Sequence, residues 1–155
     1  MNDISFTIEQ VTRENYHLFD DMVYWRVNGK ERTEEKEVSK HKIYEYAFDE
    51  LLHKDFKVYA ALYNGRFIGW ISCVYIPKVG YWKKGYIYID ELWTAPEFRR
   101  KGVATALMQK AFELQKEMGA VSLRLYTQDD NTTAQSLYKR CGFKIKGKAV
   151  FMEAE

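Results

Sequence analysis

The sequence predicts a mixed α/β (α+β) fold, with a twisted, mostly antiparallel sheet flanked by helices. Two observations predict it. Asn64-Gly65 joins two apolar runs, 58–63 and 67–76, and Asn-Gly in that setting is a hairpin turn, so those strands are antiparallel. A strand-like run from Tyr86 to Thr94, a helical pattern from Val103 and an alternating run from Val121 form a strand–helix–strand unit. A crossover of that kind pairs its strands in parallel. The element order is β-α-α-β-β-β-α-β-α-β-β.

Each element has its own signal. Ile4, Phe6 and Ile8 alternate with polar neighbours and read as the first strand. Thr12 is the expected N-cap of a first helix carrying Leu18, Phe19, Met22 and Val23, and 28–32 breaks it. Thr33 caps a second helix with Tyr44, Ala47, Phe48, Leu51 and Leu52 at helical spacing. The hairpin comes next, then a loop marked by Pro77 and Gly80. After the strand 86–94 comes the turn Ala95-Pro96-Glu97-Phe98. The next helix places Val103, Leu107, Ala111, Leu114 and Met118 on one face and ends at Gly119. Val121, Leu123 and Leu125 form another strand. Asn131 caps a short helix striped by Ala134, Leu137, Tyr138 and Cys141. Phe143 and Ile145 open a last β segment that returns through 149–152.

At 155 residues, the chain is expected to form one domain, 1–155. A net charge of +2 is too small to argue for nucleic acid. Cys73 and Cys141 offer neither metal spacing nor a disulfide framework, which fits a reducing cytosol. No apolar run approaches the ~20 residues of a membrane span, and the N-terminus has no secretory pattern. The expectation is a cytoplasmic protein with no metal, no membrane association and no nucleic-acid partner.

Arg99-Arg100-Lys101-Gly102 lies between a strand and a helix start. A helix N-terminus offers unpaired N–H groups and the positive end of a dipole, which suits phosphate. The three cations add charge-assisted donors, and Gly102 permits close backbone approach. The simplest reading is a pyrophosphate site formed by 99–105. The chain has no G-x-x-x-x-G-K-[ST] and no G-x-G-x-x-G, which excludes the P-loop and the dinucleotide fingerprint.

Arg99-x-x-Gly102-x-Ala104, with Thr94-Ala95-Pro96-Glu97-Phe98 before it, resembles the acetyl-CoA signature of the GNAT superfamily of N-acetyltransferases. Asn131-x-x-Ala134-x-x-Leu137-Tyr138-x-x-x-Gly142-Phe143 resembles the second signature of that family. Both motifs stand in the family's order and spacing, and the resemblance spans nearly the whole chain. It implies acetyl transfer from acetyl-CoA to a primary amine by direct attack, with the CoA cleft between the fourth and fifth strands. The alternative is a non-catalytic acyl-CoA-binding sensor or scaffold.

The resemblance also assigns roles. Tyr138 is the acid that protonates the departing thiolate, and it contacts CoA. Glu91 or Asp90 is the base, directly or through water. Glu91 is favoured because a two-residue step aligns it with Trp93. Leu92, Trp93 and Thr94 offer backbone groups to the pantetheine arm. Arg99, Arg100, Lys101, Gly102, Val103, Ala104 and Thr105 hold the pyrophosphate, and Asn131 contacts CoA or serves only as an N-cap. A base is wanted because an amine of pKa near ~10 is almost wholly protonated at neutral pH, at a cost of about 4 kcal/mol.

In relatives, the acceptor cleft is built from the first two helices and the loop before the fourth strand. Those regions here hold Tyr16, Tyr24, Trp25, Tyr44, Tyr46, Tyr81 and Trp82, with Asp20, Asp21, Glu45 and Glu50 nearby. Aromatic walls and carboxylates suit a cationic amine, and core packing explains the same residues. The acceptor stays open between a small-molecule and a peptide amine. Relatives often dimerise, so a homodimer is also open.

Overall fold

A computed structural model describes residues 4–33, 49–80 and 84–155. The chain divides into two compact units, Met1–Leu125 and Tyr126–Glu155. The first holds a five-stranded sheet in the order β1-β2-β3-β4-β5: β1 Thr7–Gln10, β2 Phe56–Tyr63, β3 Arg66–Ile76, β4 Tyr86–Thr94 and β5 Leu123–Leu125. Strands β1 to β4 run antiparallel in turn, and only β4 with β5 is parallel. This is the mixed, mostly antiparallel sheet expected from the hairpin and the crossover. Two helices of this unit lie wholly within the described residues, α1 (Tyr16–Asn28) and α2 (Val103–Met118), with a 3-10 turn at Pro96–Phe98 before α2.

The β2–β3 turn has φ 49° at Asn64 and 77° at Gly65. Both residues are left-handed, as a two-residue hairpin of matching twist requires. The register crosses a bulge between Ala61 and Leu62, where Ile68 is the extra residue of β3. Its carbonyl accepts from Ala95 N at 2.8 Å, so the bulge pins the end of β4.

Helices pack on the two faces of the sheet. Met22 of α1 joins Val11, Val58, Ala60, Phe67 and Trp70 in one core cluster. On the α2 side, Val103, Leu107, Met108, Ala111 and Leu114 are buried. A Cβ on Gly69 would lie 2.8 Å from Trp93 O and 3.1 Å from Val103 Cγ1. The missing side chain therefore lets the start of α2 close onto β3 and β4. Gly119, with φ 64°, ends α2 as expected.

Three expectations need correction. Thr12 does not cap α1: the preceding residue is Asn15, whose Oδ1 accepts from Thr12 N at 2.8 Å and so closes a turn before the helix. Ile4 and Phe6 lie outside β1, which pairs with β2 only over Tyr59–Leu62. The residues from Phe143 to Met152 are not strands. A strand needs a ladder partner, and Ile145, Val150, Phe151 and Met152 are 62%, 85%, 84% and 86% exposed instead. The second helix falls largely on 34–48, outside the described residues; only its end at Asp49–Leu51 is seen, and it is helical.

In the second unit, α3 (Thr132–Arg140) starts at Asn131, whose Oδ1 accepts from Ala134 N at 3.1 Å. The N-cap expectation holds at this helix.

Candidate active site

The chemistry-bearing half of β4 begins at an irregularity. Ser72 pairs with Glu91 and Cys73 with Ile89, so Asp90 is an extra, unpaired residue. A bulge reverses the facing of the residues beyond it. Before it, Ile87 and Ile89 share the face of Cys73. After it, Glu91 and Trp93 lie opposite Ser72 and Trp70, on the α1 side. Glu91 and Trp93 thus share a face, as the two-residue step suggested, and Asp90 is exposed at the bulge. Ser72 is the one buried polar side chain among the described residues, and its Oγ accepts from Glu91 N at 3.1 Å. The hydroxyl replaces the ladder bond that the bulge removes.

The Glu91 carboxylate meets Arg26 of α1, Nη1 to Oε2 at 2.6 Å, with both side chains nearly half exposed. The Arg26 guanidinium lies 5.1 Å over the Trp70 ring. Trp70 packs at 5.2 Å against Trp93, and Trp93 edge-on against Trp25. The carboxylate is therefore held by three named groups: the Ser72 hydroxyl through the Glu91 backbone, Arg26 through its charge, and the Trp70 indole beneath Arg26. Sequence reasoning did not find Arg26 or Ser72. Ser72 carried a signal, as the lone aliphatic hydroxyl in the apolar run 67–76. Arg26 carried none, because its partner lies 65 residues away.

β5 pairs only with Ile87–Ile89. The edge of β4 from Asp90 to Thr94 has no ladder partner on that side among the described residues. Leu92, Trp93 and Thr94 therefore present backbone groups along that edge, the geometry by which an extended ligand adds as a strand.

β4 then turns through Ala95 and the 3-10 turn, fixed by buried Phe98. Arg99 Nε donates to Thr94 O at 3.2 Å, which ties the basic segment back to β4. Arg100 has φ 61° and Gly102 φ 84°, either side of Lys101. Successive backbone N–H groups in turn conformations of this kind can make an anion-binding concavity. No side chain caps α2. The first N–H groups of that helix, from Val103 to Thr105, have no intrahelical acceptor. A Cβ on Gly102 would meet nothing within 4 Å. Glycine is thus needed there for its positive φ and leaves open space beside the N–H groups.

In the second unit, the Tyr138 ring packs 6.0 Å from Phe143. Burial, and then the Cys141 thiol, push its hydroxyl above the usual phenol value. It accordingly stays protonated at neutral pH, the state an acid needs. Asn131 is engaged at its Oδ1 in capping α3, which accounts for that residue without a ligand.

Other expected residues have different partners. Asp20 and Asp21 hold Arg32 at 2.8 and 2.9 Å, and Arg32 covers the Tyr24 ring at 4.6 Å. Trp25 is buried. Tyr44, Glu45, Tyr46, Tyr81 and Trp82 lie outside the described residues. Cys73 is buried and its thiol is pushed up to about 12 by that burial, so it is no nucleophile. A cavity of about 400 Å³ opens between α1, Glu31-Arg32 and the β2–β3 turn. Asp21 and Trp25, expected near the acceptor, line it, but none of the expected catalytic or CoA-binding residues does. Among the described residues, no group of His, Cys, Asp or Glu could hold a metal ion. No helix among them is long and apolar enough to cross a membrane.

The Acetyltransferase (GNAT) family model matches residues 19–143. The chain belongs to this family. Curated relatives of this GNAT chain carry acetyltransferase names. It is 39% identical over 85 residues to N-alpha-acetyltransferase 30 of Schizosaccharomyces pombe, covering 55% of each protein. It is 28% identical over 145 residues to an N-acetyltransferase of Methanocaldococcus jannaschii, covering 92% of this chain and 62% of that one. The chain thus spans little more than half the length of these curated relatives. Among solved structures, the aminoglycoside N-acetyltransferase AAC(6')-Iy superposes with a TM-score of 0.77 at 16% identity. That match covers 98% of this chain and 99% of that one, and it shows the GNAT fold.

Proposed function

We propose that residues 1–155 act as one catalytic domain that transfers acetyl from acetyl-CoA to a primary amine. The observation that carries the reading is the uncapped N-terminus of α2, preceded by left-handed Arg100 and Gly102 and the cations Arg99 and Lys101. The residues fit a pyrophosphate: the first N–H groups of the helix lie beside open space at Gly102, and among the described residues no side chain caps them. AAC(6')-Iy has been solved with CoA and with a bisubstrate analogue that joins CoA to acetylneamine, which supports the same ligand here. Acetyl-CoA supplies an activated acyl group on a leaving thiol.

The chain's own residues do the rest. Segment 99–105 binds the diphosphate, and the open edge of β4 from Leu92 to Thr94 aligns the pantetheine arm. One of those N–H groups polarises the thioester carbonyl. Glu91, rather than Asp90, receives the proton of the incoming ammonium, because it faces the Trp93 side while Asp90 projects from the bulge. Tyr138 Oη gives a proton to the departing sulfur. Asn131 serves as the cap of α3.

The test is thiol release from acetyl-CoA in the presence of primary amines. Amine-dependent release supports an enzyme. Stabilisation by CoA without release from any amine would instead favour the binding module.

A further inference from the structure

Asp20, Asp21, Tyr24, Trp25 and Glu91, all expected near the acceptor amine, are already engaged by arginines of the protein itself. Arg32 holds Asp20 and Asp21 at 2.8 and 2.9 Å and covers the Tyr24 ring at 4.6 Å. Arg66 holds Glu31 at 2.6 Å and lies 5.9 Å over the Trp25 ring. Arg26 holds Glu91 at 2.6 Å and lies 5.1 Å over the Trp70 ring. Each guanidinium thus takes both a carboxylate and a ring that a ligand ammonium would use. Capacity for a cation remains on β4. Arg26 engages only Oε2 of Glu91, and neither Oε1 nor the exposed Asp90 carboxylate has a partner among the described residues. Two carboxylates and one guanidinium leave a single net negative charge there, which one ammonium neutralises. A second positive charge on the same ligand meets Arg26 as a like charge. Trp70 beneath and Glu91 beside hold that guanidinium in place.

We propose that the acceptor is an amine carrying a single positive charge, and that Arg26 is the residue that rejects polycations such as polyamines and aminoglycosides. The inference rests on the acetyl-transfer reading. The one ammonium lies on Oε1 of Glu91, and the rest of the acceptor is uncharged where it passes Arg26. In the reaction the nitrogen forms a bond to the acetyl carbon and the carbon–sulfur bond breaks. Of the three ammonium protons, one stays on the amide nitrogen, one leaves through Glu91 to solvent, and one balances the proton that Tyr138 gives to sulfur. The products are an N-acetyl amide and CoA thiol. Arg26 sets specificity through its charge and takes no part in the proton transfers.

The experiment takes a panel of amino alcohols, each beside the diamine of the same chain length, and an amidated peptide beside its counterpart with lysine at the second position. Spermidine and neamine serve as larger polycations. Thiol release gives kcat/KM for the wild type, Arg26→Gln and Arg26→Lys. The wild type is expected to favour the singly charged member of each pair by about tenfold, the size of a like-charge contact between partly exposed groups. Added salt should shrink that preference. In Arg26→Gln the ratio falls toward one, through KM rather than kcat, whereas Arg26→Lys keeps the charge and the preference. A CoA-induced rise in melting temperature shows that each variant is folded. Diamines, spermidine or neamine used by the wild type as well as the singly charged amines would overturn the inference while leaving acetyl transfer standing. A preference that persists undiminished in Arg26→Gln would remove Arg26 from the role. No release with any acceptor would overturn the acetyl-transfer reading and this inference with it.

Discussion

Placing a carboxylate at Gly102 separates the backbone demand of this position from its ligand demand. Gly102 has φ 84°, a conformation that costs an L-residue roughly 1–2 kcal/mol. A Cβ there meets nothing within 4 Å, so no clash adds to that cost. For a chain of this size, each kcal/mol moves the melting temperature by about 2–4 °C. Gly102→Ala and Gly102→Glu should therefore both fold and lose a similar few degrees. Ligand binding should separate them. The Glu variant puts a negative charge beside the N–H groups of α2. Two unit charges about 4 Å apart repel by ~1 kcal/mol in bulk water and ~4 kcal/mol at an effective dielectric of 20. CoA affinity should fall by about fivefold to a thousandfold in Gly102→Glu relative to Gly102→Ala. Calorimetric titration with CoA at low salt measures the ratio, and added salt should shrink it. Equal affinities in two folded variants would refute the pyrophosphate assignment.

Other consequences arise from single contacts. Tyr138→Phe should lower kcat by about a hundredfold with little change in CoA affinity, because the ring still packs on Phe143 while the proton donor is gone. Steady-state kinetics beside a CoA titration separates the two. Ser72→Ala should cost about 1–3 kcal/mol by chemical denaturation, since the part-buried N–H of Glu91 loses its acceptor. The Cys73 thiol is pushed up to about 12 by burial, so its neutral form is favoured in the folded state. Its contribution to stability is present below pH ~9 and is lost as pH rises toward 12. The fall in stability over that window should be shallower in Cys73→Val than in the wild type.

How much could be read in the sequence depended on whether its cause was local. Asn64-Gly65 announced the hairpin because few other pairs accept two positive φ values in succession. Val103 to Met118 was legible from its apolar period and from Gly119, and the basic segment from its place between a strand and a helix. Asn131 was legible as a cap, whereas Thr12 misled because Asn15 took the turn first. The facing of Glu91 could be reasoned but not fixed, since the bulge at Asp90 arises from the register of β4 on β3. Arg26 was invisible because its partner is remote in the chain. The alternation from Phe143 onward suggested strands, yet alternation supplies only a face, and no described strand pairs with it.

Every assigned role depends on this GNAT chain binding acetyl-CoA at the start of α2 and passing the acetyl group to an amine. Thiol release from acetyl-CoA across amine classes, with CoA-induced thermal stabilisation measured alongside, decides whether it does. The expected result is stabilisation by CoA and release that depends on the amine. No stabilisation by CoA and no release with any amine would contradict it.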